Sequence, residues 1–395
     1  MLEILEAGGL ITVQDAGRRG WQKFGVPASG AMDWFAHRAA NLLVGNSPDA
    51  AALEIGFGDV TLRALRDCVV AVTGVGFFAS TFAWTFPLWT SFVVRAGWKI
   101  SITKIQASDV VRTPAPNRRR GDGIPHSHNL AGYHPAPQNP ALPSEHQNNY
   151  GNWAYLAVAG GIDITPMLGS RSSYLRAGFG KKLEVGDRLI IGKPSRSLEE
   201  LSARTFLPDK LPTYSSSPII EVIEGVQADW FTNVVRTPAP NRRCGDGIPH
   251  SHNLAGYHPA PQIQHSPDGL TVFLSSEYSI SPSSDRMGYR LDGAPIARAN
   301  DAELLSEGMT AGSIQVPASG QPIVMMADSP TTGGYPKIAN VVTADFPLLA
   351  QAPFRDGRIK FKMTSVEEAQ ARYRKMMRDL DDGIEEVEND AKFAQ

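Results

Sequence analysis

Short apolar runs, each closed off by glycine, proline or a polar cluster, dominate this 395-residue chain. With 37 glycines and 29 prolines interrupting them, few stretches are left for long amphipathic helices, and the pattern favours β structure. Val69 to Thr73, Tyr155 to Ala159, Leu189 to Ile191, Val272 to Leu274 and Ile323 to Met326 read as short buried strands. A shared design recurs at Ala96 to Ile102 and Val185 to Ile191, each placing a turn glycine before alternating apolar residues, with a looser third case at Ala311 to Val316. That recurrence suggests two related β units.

Two helices are expected. Met32 to Val44 puts Phe35, Ala39, Leu42 and Leu43 on one face, with Ser29 able to cap its start and Gly45 its end, and it is placed across a barrel. From Ser365 a capping-box pattern with Glu368 opens a charged helix that frays into an acidic tail.

The formal charge of −2 gives no basic field for nucleic acid, and no apolar run approaches the roughly 20 residues that span a bilayer. The start, MLEILEAGGL, lacks the basic and apolar regions of a secretory signal, and two cysteines are too few for a disulfide framework. A cytosolic protein with small-molecule or protein partners is expected.

Residues 110–138 recur at 234–262 with one change, Arg120 becoming Cys244. Each copy holds five prolines and a cluster of Arg and His, so both read as solvated loops. Cys244, His250, His252 and His258 match no strong zinc spacing, and no metal site is expected.

Four glycine-rich segments look built for a site. In VQDAGRRGWQKFGVPASGAMD, Asp15 and Arg18 precede the first helix; in AVAGGIDITPMLGSRSSYLRAGFG, a strand delivers Ser170 and Arg171. SPSSDRMGYRLDG carries Asp285, Arg286 and Arg290, and a strand at 323–326 leads to Asp328 and then to Thr332, Gly333, Gly334 and Tyr335. Asp-Arg neighbours are commonly structural ion pairs. Here the arginines occupy glycine loops instead of helix faces, where forks bind carboxylate or phosphate at two points and carboxylates move protons. The set therefore predicts an anionic substrate, with Asp15, Asp285 and Asp328 as catalytic candidates and Arg18, Ser170, Arg171, Arg286, Arg290 and Thr332 to Tyr335 as substrate ligands. Arg286 and Asp328 are expected to converge on one pocket.

These segments, together with ALEIGFGD and the stretch from SEGMTAGSIQVPASGQPI to DSPTTGGYPKIA, resemble the biotin-dependent carboxyltransferase family. That family includes the C subunit of 5-oxoprolinase, the Kip antagonist protein of bacilli, and the second allophanate-hydrolase-like part of urea carboxylase. The resemblance spans residues 2–106, 150–195 and 217–365, so the two copies look like insertions. It implies a mainly β fold of two cyclophilin-like β-barrels, with a first half at 1–200 carrying an inserted loop at about 107–150. A second half at 201–365 carries another at about 233–268, and 366–395 forms the helical tail. It further implies ATP-dependent opening of 5-oxoproline to glutamate with a subunit-B-like partner and a subunit-A-like one. There is no GxxxxGKS/T loop for ATP and no biotinyl-lysine segment, so catalysis would be shared and no biotin attached to this chain. Carboxyl transfer in a urea-carboxylase-like enzyme and non-enzymatic regulatory binding of the Kip antagonist type are the alternatives.

Overall fold

The computed structural model describes residues 1–81, 84–105, 150–232, 268–299 and 304–386. Both copies of the repeated segment, with Cys244 and the histidines around it, lie outside the described residues.

The fold is mainly β with a few helices, and its strands form curled sheets. A six-stranded sheet runs in the order Arg188–Leu189, Leu2–Ala7, Val60–Ala64, Lys99–Lys104, Phe77–Ser80, Thr85–Phe86. A seven-stranded sheet follows in the order Leu10–Gln14, Ala52–Gly56, Trp153–Val158, Cys68–Gly74, Thr90–Val94, Arg204–Phe206, Ile384–Glu386. The second half supplies another seven-stranded sheet, in the order Ser279–Ile280, Gly288–Asp292, Ile323–Met325, Ser313–Gln315, Lys337–Val341, Ile219–Glu224, Lys360–Met363.

Strand alternation explains the continuous apolar runs. In Cys68–Gly74, Val70 and Val72 face a core enclosed by the first two sheets, whereas Val69 and Ala71 face a second core shared with the C-terminal half. Trp153–Val158 divides the same way, with Ala154, Leu156 and Val158 turned to the first core and Trp153, Tyr155 and Ala157 to the other. A sheet covered on both faces needs apolar residues at every position, which is what VVAVT and YLAVA supply. The turn glycines Gly97, Gly186 and Gly312 all take positive φ (86°, 91° and 95°) ahead of their strands.

The first helix spans Trp34–Leu43 and packs on strands Cys68–Gly74 and Trp153–Val158, between the first half's seven-stranded sheet and the second half. Its cap is Asp33, whose side chain accepts from the Ala36 N–H, and not Ser29, which sits at φ 56°. Gly45, at φ 71°, follows the C-cap as expected. Val272 to Leu274 is a correction: it belongs to a helix, Gly269–Ser275, capped by Asp268. Three apolar residues in a row carry no period, and the Asp268 cap decided for helix. The Ser365–Glu368 capping box forms and opens a helix over Val366–Asp382, after which Ile384–Glu386 adds a strand antiparallel to Arg204–Phe206. No helix among the described residues is long and apolar enough to cross a membrane.

Candidate functional site

The site begins at strand Leu10–Gln14, an edge of the first half's seven-stranded sheet. Ile11 and Val13 enter the core, so Leu10, Thr12 and Gln14 face the other way and line a cleft of about 230 Å³. Loop residues Ser173 to Arg176 and, from the second half, Asp285, Arg286, Met287 and Asp328 complete its walls.

After Gln14 the chain doubles back on itself. The Arg18 N–H donates to the Ala28 carbonyl at 2.7 Å, and Gly17, at φ 83°, makes this possible. A Cβ there would lie 2.7 Å from the carbonyl oxygens of both Ala28 and Ser29. The turn carries Arg18 inward to 1% exposure, over the Phe179 ring at 4.9 Å. Its Nη2 donates to the Ser172 carbonyl, but Nε and Nη1 have no hydrogen-bond partner among the described residues. Burial lowers its pKa, opposed by the nearby charges of Asp15 and Asp328. A buried guanidinium with two idle donors is costly, and it suits an anion arriving from outside the chain.

Asp15 is engaged by the protein. It accepts from the hydroxyls of Ser170 (2.6 Å) and Ser172 (2.5 Å) and from the N–H groups of Arg171 (2.5 Å) and Gly17 (2.8 Å). Burial would raise its pKa, but the hydrogen bonds from Ser170, Ser172, Arg171 and Gly17 outweigh burial and hold it below the usual value. Ser170 thus serves the loop. Arg171 turns aside, its Nε donating to the Ile164 carbonyl at 2.8 Å and its Nη2 lying 3.6 Å from Asp163.

Arg286 and Asp328 do come together, and they hold each other. Arg286 Nε and Nη2 donate to the two Asp328 oxygens at 2.9 and 3.0 Å, Nη2 also donates to the Gly30 carbonyl at 2.7 Å, and Nη1 donates to Glu54. Burial works against the charge on Arg286, yet Glu54 and Asp328 more than offset it and hold the pKa above its ordinary value. Asp285 stands exposed at the rim. One oxygen accepts from the Met287 N–H at 2.8 Å, and the other meets Arg176 Nη2 at 3.1 Å across the cleft mouth.

The remaining predicted residues lie elsewhere. Tyr289 and Leu291 of strand Gly288–Asp292 point into the core, so Arg290 projects from the opposite face, where it lines a second hollow with Tyr335. Thr332 and Gly333 form a two-stranded ribbon with Glu307–Gly308, and Gly334 follows it. Of the predicted residues, Asp285, Arg286 and Asp328 line the cleft, whereas Asp15, Arg18 and Ser170 are joined to the 170–172 loop that leads into its wall at Ser173, and Arg290 and the Thr332 to Tyr335 loop lie elsewhere.

Sequence reasoning overlooked Thr12, Gln14, Glu54 and Tyr155. Glu54 sits fully buried on an interior strand, accepting from the Met32 N–H and the Tyr155 hydroxyl, both at 2.8 Å. The signal that could have found them is a polar residue inside otherwise apolar strands: TVQ in LITVQ and Glu54 in ALEIG.

The family described as "Carboxyltransferase domain, subdomain A and B" matches residues 24–112, 134–242 and 246–363. The chain is 34% identical to the 5-oxoprolinase C subunit of Escherichia coli over 93% of both chains. It is 24% identical to urea amidolyase of Lachancea kluyveri over 98% of its own length but 18% of that protein. The crystal structure of Kluyveromyces lactis urea carboxylase superposes with a TM-score of 0.70 at 22% identity, covering 100% of this chain and 30% of that one, a likeness of fold. On this match and this extent of identity, the chain belongs to the carboxyltransferase domain, subdomain A and B, family.

Proposed function

We propose that this chain is the C-type subunit of a cytosolic, ATP-dependent 5-oxoprolinase complex, opening the lactam ring of 5-oxoproline to glutamate together with B-like and A-like companion subunits. One observation carries the reading at the level of chemistry: Arg18, 1% exposed and tied to the Ser172 carbonyl next to the cleft residue Ser173, keeps its Nε and Nη1 nitrogens without a partner among the described residues. Nε and Nη1 open on different edges of the guanidinium, and either can meet an oxygen of a carboxylate or a phosphoryl group. The choice of 5-oxoproline draws on the 34% identity to a C subunit of 5-oxoprolinase.

In this reading Arg18 holds the substrate carboxylate, and the Asp15 cage around Ser170 and Ser172 fixes the loop to which Arg18 is tied. Arg286, locked between Glu54 and Asp328, fixes the opposite wall and keeps the two halves in register. Asp285 is the most exposed carboxylate of the three, which supports a role in taking or giving a proton at the cleft mouth. ATP, used with the companion subunits, supplies activation of the inert lactam carbonyl; Arg18's free donors fit an anionic oxygen in either role.

The likeness to urea amidolyase supports a second reading, carboxyl transfer to a urea-like amide, in which the same guanidinium would orient a carboxylate. The two are separated by purifying the chain with its companion proteins and measuring ATP consumption with 5-oxoproline and, separately, with urea and bicarbonate. Glutamate formation that requires the companions is expected. ATP turnover only with urea and bicarbonate would move the assignment to carboxyl transfer.

A further inference from the structure

Among the described residues, the buried side-chain atoms without a hydrogen-bond partner are Gln14 Oε1, Arg18 Nε and Nη1, Ser29 Oγ, Arg204 Nε and Arg298 Nε. Three of these residues fall within one short stretch, Gln14 to Ser29, which enters from the cleft wall at Gln14. Arg18 leaves donors idle, whereas Gln14 leaves an acceptor idle.

The orientation of the Gln14 amide follows from its partners. Its nitrogen lies 3.2 Å from the Ser173 carbonyl, which can only accept, and 3.0 Å from Thr12 Oγ1. The carbonyl end is therefore the free pole of a side chain that lines the cleft at 0% exposure. Arg18 is tied to the carbonyl of Ser172 and Gln14 to that of Ser173, so consecutive residues of one loop hold both groups. The backbone beneath Gln14 is steadied too, since His37 Nε2 lies 3.2 Å from its carbonyl.

We infer that Gln14 is a specificity-determining residue whose Oε1 accepts a hydrogen bond from an N–H of the ligand while Arg18 grips an anionic group adjacent to that N–H. The inference rests on the proposed lactam chemistry and narrows it: the ligand class is a small carboxylate bearing an amide or lactam N–H next to the carbon that carries the carboxylate. 5-Oxoproline has that arrangement. A buried acceptor left unmet rejects an analogue lacking the hydrogen, so selection arises from the idle Oε1 itself.

The test uses the full chain alone, because every residue invoked is its own, and reads equilibrium binding by calorimetry. The probes are 5-oxoproline, the matching ring lactone carboxylate in which oxygen replaces N–H, and pyrrolidin-2-one, which keeps N–H and lacks the carboxylate. The parent is expected to bind the lactone about tenfold or more weaker than 5-oxoproline, and pyrrolidin-2-one weaker still. Gln14→Met should erase the difference between lactam and lactone. Equal affinity of the parent for the two, a difference that persists in a folded Gln14→Met variant, or no binding of 5-oxoproline would each overturn the inference. The lactam–lactone comparison needs no variant, so a misfolded Gln14→Met leaves the test standing. Selective binding with no ring opening in the assembled complex would count against the oxoprolinase reading alone, and ring opening without selectivity against the role of Gln14 alone.

Discussion

Arg286 reaches across 232 residues of sequence to ion-pair with Glu54, while the rest of its guanidinium is held by Asp328 and the Gly30 carbonyl. Glu54 is fully buried on an interior strand of the first half, and Asp328 follows a strand of the second. One guanidinium therefore joins the two halves at the floor of the cleft.

Because a lysine cannot serve two carboxylates and a carbonyl from one planar fork, Arg286→Lys leaves part of a buried charge pair unmet. A loss of about 3 kcal/mol is expected, which lowers the melting temperature by roughly 4 °C in a protein of this size. Thermal unfolding followed by circular dichroism checks it. A variant melting within about 2 °C of the parent would remove the clamp from the account.

Asp15 accepts four hydrogen bonds from the loops it joins, and its carboxyl is held below the usual value. A depressed carboxyl stabilises the fold above its unfolded pKa, and that contribution is lost as pH falls through the folded one. Asp15→Asn should be clearly destabilised near pH 7, by about 1 to 3 kcal/mol, with the deficit shrinking toward pH 3. Urea unfolding across that range supplies the comparison. A deficit independent of pH would contradict the assignment of the low pKa to Asp15.

Two buried groups around the first helix titrate in opposite senses. Burial raises Asp33 from 3.8 to about 6 despite hydrogen bonds from Ala36, Gln351 and Tyr214, so its contribution is full below about pH 4 and lost as pH rises through 6. Burial lowers His37 from 6.5 to about 4, so its contribution is full above 6.5 and lost as pH falls toward 4. Each amounts to about 3 kcal/mol, and in the parent they largely cancel. The stability advantage of the parent over Asp33→Asn should shrink between pH 4 and 6.5, and its advantage over His37→Gln should grow. Parallel pH profiles for parent and variants would refute both assignments.

Much of the fold could be read from residues. Val69 to Thr73 and Tyr155 to Ala159 announce buried strands because both their faces meet a core. The Ser365 capping box announces its helix, since both of its reciprocal bonds are local. Val272 to Leu274 failed because three apolar residues carry no period. The site was legible in part: glycine loops marked Asp15, Arg18, Arg286 and Asp328, but which donors remain idle depends on partners more than 150 residues away. Ser172 lies that far from Arg18, and Glu54 farther still from Arg286. Arg290 misled because it follows Arg286 so closely, while strand alternation sends it to the other face of the sheet.

Whether Arg18 holds the substrate's carboxylate is decided by Arg18→Met in the assembled complex. Arg18 is a buried charge with unused donors, so its removal is expected to leave the melting temperature within about 3 °C of the parent or above it. At the same time kcat/KM for 5-oxoproline should fall at least about 100-fold, close to 2.7 kcal/mol of transition-state binding. A folded Arg18→Met complex whose kcat/KM stays within about threefold of the parent, under roughly 0.7 kcal/mol, would contradict the account.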